Sequence, residues 1–179
     1  MASILNVDQI NNAAGTSGIA LDASTGKASF PNGATLPAGS VLQVVREFTS
    51  NQSPITTSST SYVGSGITAA ITPLISGSII LVDFTISMAD AISTGMPVKM
   101  YYKTGAGSYG GFESGGEYQI GYQDSSTNRY ASMTFGGKIT TTSTSTLTFQ
   151  PYFYSVNGNT VRLAHDQSSN ALTLMEIAQ

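Results

Sequence analysis

Residues 78–88, Ser-Ile-Ile-Leu-Val-Asp-Phe-Thr-Ile-Ser-Met, leave the chain little choice of local structure. Side chains on a strand alternate with period two, so Ile80, Val82, Phe84, Ile86 and Met88 share one face. Ile79 and Leu81 point the other way, followed on that face by Asp83, Thr85 and Ser87. The stretch predicts a core strand that starts buried on both sides and ends half-exposed. Its β-branched content and its boundary at Ser76-Gly77-Ser78 argue against a helix. Burying each of its large apolar side chains stabilises the fold by roughly 1.5–3 kcal/mol.

Around this strand the composition favours more of the same. Only 9% of the 179 residues are charged, while 25 Ser and 22 Thr supply neutral hydroxyls as the solvating groups. With 19 Gly and few helix formers, this predicts an all-β fold rich in turns. The net charge of -3 leaves no basic stripe for phosphates, so nucleic acid is not an expected partner. The absence of cysteine excludes disulfides and thiolate metal sites. The first residues lack the basic flank and apolar core of a secretion signal, and no apolar run approaches the ~20 residues that span a bilayer. Synthesis in a cytoplasm without membrane insertion is the expectation.

Along the chain, residues 1–40 stand apart from residues 41–179. The first part carries Ile4, Leu5, Val7 and Ile10, then short extended phrases at 18–22 and 27–33, and a linker marked by Pro31, Gly33, Pro37 and Gly39. Too few large apolar residues are present there to build a core, so the expectation is either a disordered tail or an extended arm that orders against copies of itself or a docking partner. From Val41 on, strands are predicted at 41–48, 62–63, 66–72, 78–88, 96–103, 117–123, 129–135, 145–155, 160–164 and 170–178, with a polar loop at 49–61. Asn157-Gly158 signals a hairpin between the strands on either side of it. The two end strands, 41–48 and 170–178, are expected to lie close together, because domain termini often do. Together these predict an antiparallel β-sandwich, jelly-roll-like, carrying an extended N-terminal arm.

Chemical motifs are sparse. Gly105-Ala-Gly107-Ser-Tyr-Gly110 fits the dinucleotide fingerprint, but Gly111, Gly115 and Gly116 break the helix that fingerprint requires, so it reads as a loop. His165-Asp166 lacks a nucleophile elbow and reads as a pair of polar residues facing solvent. Glu113, Glu117 and Asp124 are close in sequence but imply no apolar pocket, and solvated loop charges fit them better than acid/base or calcium roles. No catalytic residue, metal or cofactor is expected. Aromatics crowd one region: Tyr101, Tyr102, Tyr109, Phe112, Tyr118, Tyr122 and Tyr130. Tyr109 and Phe112 on the glycine-rich loop 104–116, with Glu113, and the turn residues Asp124, Asn128, Arg129 and Tyr130, form the candidate ligand-binding set.

Several phrases in order carry a resemblance: Ile-Leu-Asn-Val-Asp-Gln-Ile-Asn-Asn at 4–12, Phe-Pro-Asn-Gly at 30–33, Gly-Ser-Val-Leu-Gln-Val-Val at 39–45, the Ser/Thr-rich run at 56–62 leading to Ile71-Thr-Pro73, and Leu-Thr-Leu-Met-Glu-Ile-Ala at 172–178. Together they resemble small fibre proteins of tailed bacteriophages, especially phages of aquatic bacteria. The resemblance implies a virion protein made in the host cytoplasm, with an N-terminal arm and a β head that trimerises. On that basis Ile4, Leu5, Val7 and Ile10 are expected to anchor the arm to another virion protein, and the head to contact a host surface glycan or protein. Phe149, Phe153 and Tyr154 are the outward residues expected at the trimer surface. A head fibre, collar or capsid decoration protein, and a freestanding carbohydrate-binding module, are the alternative expectations.

Overall fold

The computed structural model describes residues 9–11, 17–21, 24, 28–29, 37–50, 54–91, 93–112, 118–120, 131–164 and 169–179. The chain divides into two units, Met1–Pro37 and Ala38–Gln179. In the first, β1 (Gln9–Asn11), β2 (Ser17–Leu21) and β3 (Ala28–Ser29) make a small antiparallel sheet in that order. Ile10 pairs with Ile19 there, while Ile4, Leu5 and Val7 lie outside the described residues.

The second unit is all-β, as its alternating sequence predicts. Its strands are β4 (Val41–Ser50), β5 (Ile55–Thr57), β6 (Val63–Gly64), β7 (Ala69–Ile71), β8 (Ile79–Ala91), β9 (Met96–Thr104), β10 (Gly110–Gly111), β11 (Tyr118–Ile120), β12 (Ala131–Thr140), β13 (Leu147–Phe153), β14 (Val161–Ala164) and β15 (Ser169–Ile177). One antiparallel sheet runs β4-β15-β8-β14-β5, with β12 beside β8. The other runs β10-β9-β13-β6, with β11 also beside β9 and β7 beside β13. The end strands of the unit meet as expected: β4 and β15 pair from Val41 opposite Ile177 to Ser50 opposite Ser169.

The core lies between the sheets. Ile80, Val82, Phe84 and Ile86 of β8 are buried with Leu172 and Leu174 from their own sheet and Val98, Met100, Phe149 and Phe153 from the other. Phe84 meets Phe135 edge-on, at 5.5 Å between centroids. The outer side of β8 differs from expectation at its start, where Leu81 is 38% exposed and Ile79 half-buried. Among the described residues of this unit that side faces no second layer, and exposure follows the alternation. Between the Ile86–Met133 and Ala89–Ala131 pairs, two β8 residues oppose one of β12, a bulge that shifts the register and carries the strand on to Ala91. On the outer face Gly136 sits opposite Asp83, and a Cβ there would lie 2.0 Å from the Val82 carbonyl oxygen. Only glycine permits that approach.

Three expectations need correction. The stretch read as a polar loop contains β5, whose Ile55 packs against the core. The predicted strand at 129–135 continues to Thr140, through two glycines that sequence propensity disfavours but pairing with β8 accommodates. Asn157-Gly158 does not make a hairpin. Strand β13 already has β9 on one edge and β6 and β7 on the other, so no edge is left for β14. The turn instead carries the chain to the opposite sheet, where β14 joins β8 and β5. Gly158 takes φ +83° in this turn. The Asn157 side-chain amide donates to the Ser93 carbonyl at 2.7 Å, tying this crossing to the neighbouring one between β8 and β9.

A second fixed point is Glu176, fully buried on β15. Its carboxylate accepts from Gln43 Nε2 at 2.6 Å and from the Leu74 and Ile75 backbone N–H groups at 3.0 and 3.2 Å. The loop after β7 is thereby pinned to the β4–β15 pair. Burial alone would push this carboxyl up, but the hydrogen bonds from Gln43, Leu74, Ser78 and Ile75 outweigh it and hold the group below the ordinary glutamate value.

Candidate functional site

Strands β9 and β13 pair from Leu147 opposite Thr104 to Phe153 opposite Val98. Their inward residues Val98, Met100, Phe149, Pro151 and Phe153 are buried, so Lys99, Tyr101 and Lys103, with Thr148, Gln150 and Tyr152, form the outer face. Tyr101 and Tyr152 are diagonal neighbours across the pair and stack at 4.3 Å with ring planes 29° apart. Tyr62 leans on Tyr101 at 5.8 Å and meets Tyr154 edge-on at 4.8 Å. At the other end Tyr109 packs on Tyr152 at 5.7 Å, and Lys103 Nζ lies 5.0 Å from the Tyr109 ring centre. The result is a continuous row, Tyr154–Tyr62–Tyr101–Tyr152–Tyr109, with every member half-buried.

Two glycines keep the flanks of the row bare. Gly64 pairs with Tyr152 and Gly111 with Tyr101, so both lie on the tyrosine face. A side chain on Gly64 would collide with the Gln150 amide, 2.9 Å from the Cβ position. At Gly111 it would meet Lys99 Nζ at 3.4 Å. Beyond Gly111 the face continues into a shallow cleft of about 540 Å³ beside Lys103, Thr104, Gly107, Ser108 and Gly110. The turn bordering it is tied down by Gly105 N–H to the Thr146 carbonyl at 2.8 Å and Gly107 N–H to the Thr104 carbonyl at 3.0 Å. Burial, and then the neighbouring Tyr152, push the Tyr109 hydroxyl above the ordinary tyrosine value, which keeps it a neutral hydrogen-bond donor.

The sequence-predicted residues fare differently. Tyr109 stands on this face. Phe112 does not: it is 2% exposed, edge-on to Tyr102 and Phe149 at 6.2 Å each. Its backbone N–H donates to the Met100 carbonyl, which fixes it beside β9 and turns its ring into the core, so the expectation of a surface ring is corrected. Glu113, Asp124, Asn128, Arg129 and Tyr130 lie outside the described residues. Among the described residues, no group of three or more His, Cys, Asp or Glu is placed to hold a metal ion. No protein-family model matches the sequence, and no curated protein matches it.

Tyr62, Tyr152 and Tyr154 were missed as site residues, yet a signal was there. Over 147–154, β13 and the residue after it, the phenylalanines and tyrosines separate by parity, with Leu147, Phe149 and Phe153 on one side and Tyr152 and Tyr154 on the other. Tyrosine carries a hydroxyl that needs water or a partner, so the tyrosine side is the outer one. The trimer expectation for Phe149 and Phe153 is corrected on the same ground: they are 0% and 1% exposed. Tyr154 is half-buried in the outer row.

Proposed function

We propose that the chain is a non-enzymatic fibre protein of a tailed-phage virion, whose β unit contacts the host surface while its N-terminal arm joins it to the particle. The observation that carries this reading is the row of five mutually packed tyrosines. Rings held by their neighbours lose little freedom on binding, and each offers an apolar body with a polar tip. Such a surface suits sugars and protein hot spots alike. The ordered phrases that resemble phage fibre proteins support the virion setting, and the division at Pro37 supports a separate arm.

In this reading three copies gather about one axis. The shared surface is the outer side of β4, where Val41, Val44 and Phe48 are 52%, 53% and 61% exposed. The same exposed residues favour a second reading, a head fibre, collar or decoration protein whose contacts are all within the particle. Adsorption separates the two. Particles carrying Tyr101→Ala with Tyr152→Ala are expected to adsorb to host cells at least about tenfold more weakly, a loss of about 1.4 kcal/mol. Unchanged adsorption by correctly assembled particles moves the protein to the structural role.

A further inference from the structure

Acidic charge is confined to one sheet among the described residues, a sheet that also carries Arg46, Lys138 and Arg162. Of the described residues, every carboxylate, namely Glu47, Asp83, Asp90 and Glu176, belongs to the sheet of β4, β8 and β15. The tyrosine-bearing sheet carries Lys99 and Lys103 and, among its described residues, no acidic side chain. Among the described residues, the charge on the tyrosine face is therefore only positive.

The two lysines sit on either side of Tyr101 on the same strand face, about 13 Å apart from one Cα to the other at the usual rise per residue. Lys99 reaches across bare Gly111, and Lys103 lies over the Tyr109 ring at the mouth of the glycine-lined cleft. Among the described residues neither has a carboxylate within ion-pair distance, whereas Arg162 on the other sheet binds Asp90 at 2.8 Å. Between them stand phenol rings able to lie against sugar faces and exchange hydrogen bonds with sugar hydroxyls.

Resting on the reading of this face as a contact surface, we propose that its ligand is an acidic polysaccharide. Sugar rings lie along Tyr101, Tyr152 and Tyr109, and the anionic substituents pair with Lys99 and Lys103. A single-stranded nucleic acid would also use rings and cations. It places a phosphate on every nucleotide, however, and two lysines on an acidic chain match a sparser charge better.

The test is binding of the full chain, by calorimetry, to a hexuronate polymer, dextran sulfate, neutral dextran of similar length and oligothymidylate. The hexuronate polymer and dextran sulfate are expected to bind at least about fivefold more tightly than neutral dextran, with the preference shrinking as salt rises. Comparing these two arms tells whether carboxylate or sulfate is preferred. Lys99→Ala with Lys103→Ala should remove the preference for the charged polymers, and the double arginine variant should restore it. Equal binding of charged and neutral dextrans, a preference that survives loss of both lysines, or tighter binding of oligothymidylate overturns the proposal while leaving a contact role intact. Adsorption that depends on Tyr101 and Tyr152 alongside no binding to any of the polysaccharides overturns it too, and points to a protein receptor.

Discussion

A buried carboxylate with four hydrogen-bond partners ties its protonation to folding, and Glu176 is in that position. Its folded-state value lies below that of the unfolded chain, so the unfolded state takes up a proton first as pH falls. Its stabilising contribution is therefore complete above the ordinary glutamate value. The contribution then declines as pH falls from that value through the lowered one. Glu176→Gln keeps the shape but can turn an amide donor toward the Leu74 and Ile75 N–H groups. Urea unfolding at neutral pH is expected to show a loss of about 1–3 kcal/mol. The gap between wild type and variant should narrow in acid, because the wild-type carboxyl is then protonated as well. A gap that stays constant from neutral pH into acid counts against this account.

At the scale of elements, β4 is the exposed one. Among the described residues it pairs only with β15, and its outer side shows Val41, Val44 and Phe48 beside Met175 and Ile177. Edge strands that stay monomeric are commonly blunted by charge or proline, and only Arg46 on this outer row supplies a charge. Val44→Lys adds one where the side chain meets solvent. The head's own stability is expected to move by no more than about 0.5 kcal/mol. In the proposed trimer the mass in solution should fall toward that of one chain. Wild-type protein that sediments as a monomer at micromolar concentration, or a variant that stays trimeric, removes β4 from the shared surface. The paired crossings at Ser93 and Asn157 teach a different lesson about elements. A local Asn-Gly signal says that the chain turns, whereas the strands already flanking β13 decide where it goes next.

Over the whole molecule, the period-two pattern made the strands and their inner faces legible, because burial on one side is a local property of alternation. Partnership was less so: nothing near Phe149 states that Tyr102 lies opposite it, and nothing near Tyr152 announces Tyr101. The tyrosine row is for that reason a product of register, assembled from segments around residues 62, 101, 109, 152 and 154. Phe112 misled because a ring in a glycine-rich stretch looks exposed until its neighbours are known. Strand β15, which follows every other strand in sequence, lies between β4 and β8 and bonds to both. Removing residues 169–179 is therefore expected to leave β4 without its partner, one edge of β8 open and the unit unfolded, with the near-ultraviolet dichroism of its tyrosines lost. A truncated chain that keeps that signal and a cooperative melt refutes this. The same placement sets a timetable for a chain being made on a ribosome. Val41–Ser50 emerges early and waits for over a hundred residues before Ser169–Ile177 arrives to seat it. Pairings so distant in sequence are slow to form. Until synthesis passes that point the half-finished sheet is sticky and open to chaperones, and a message cut short is expected to yield no folded product.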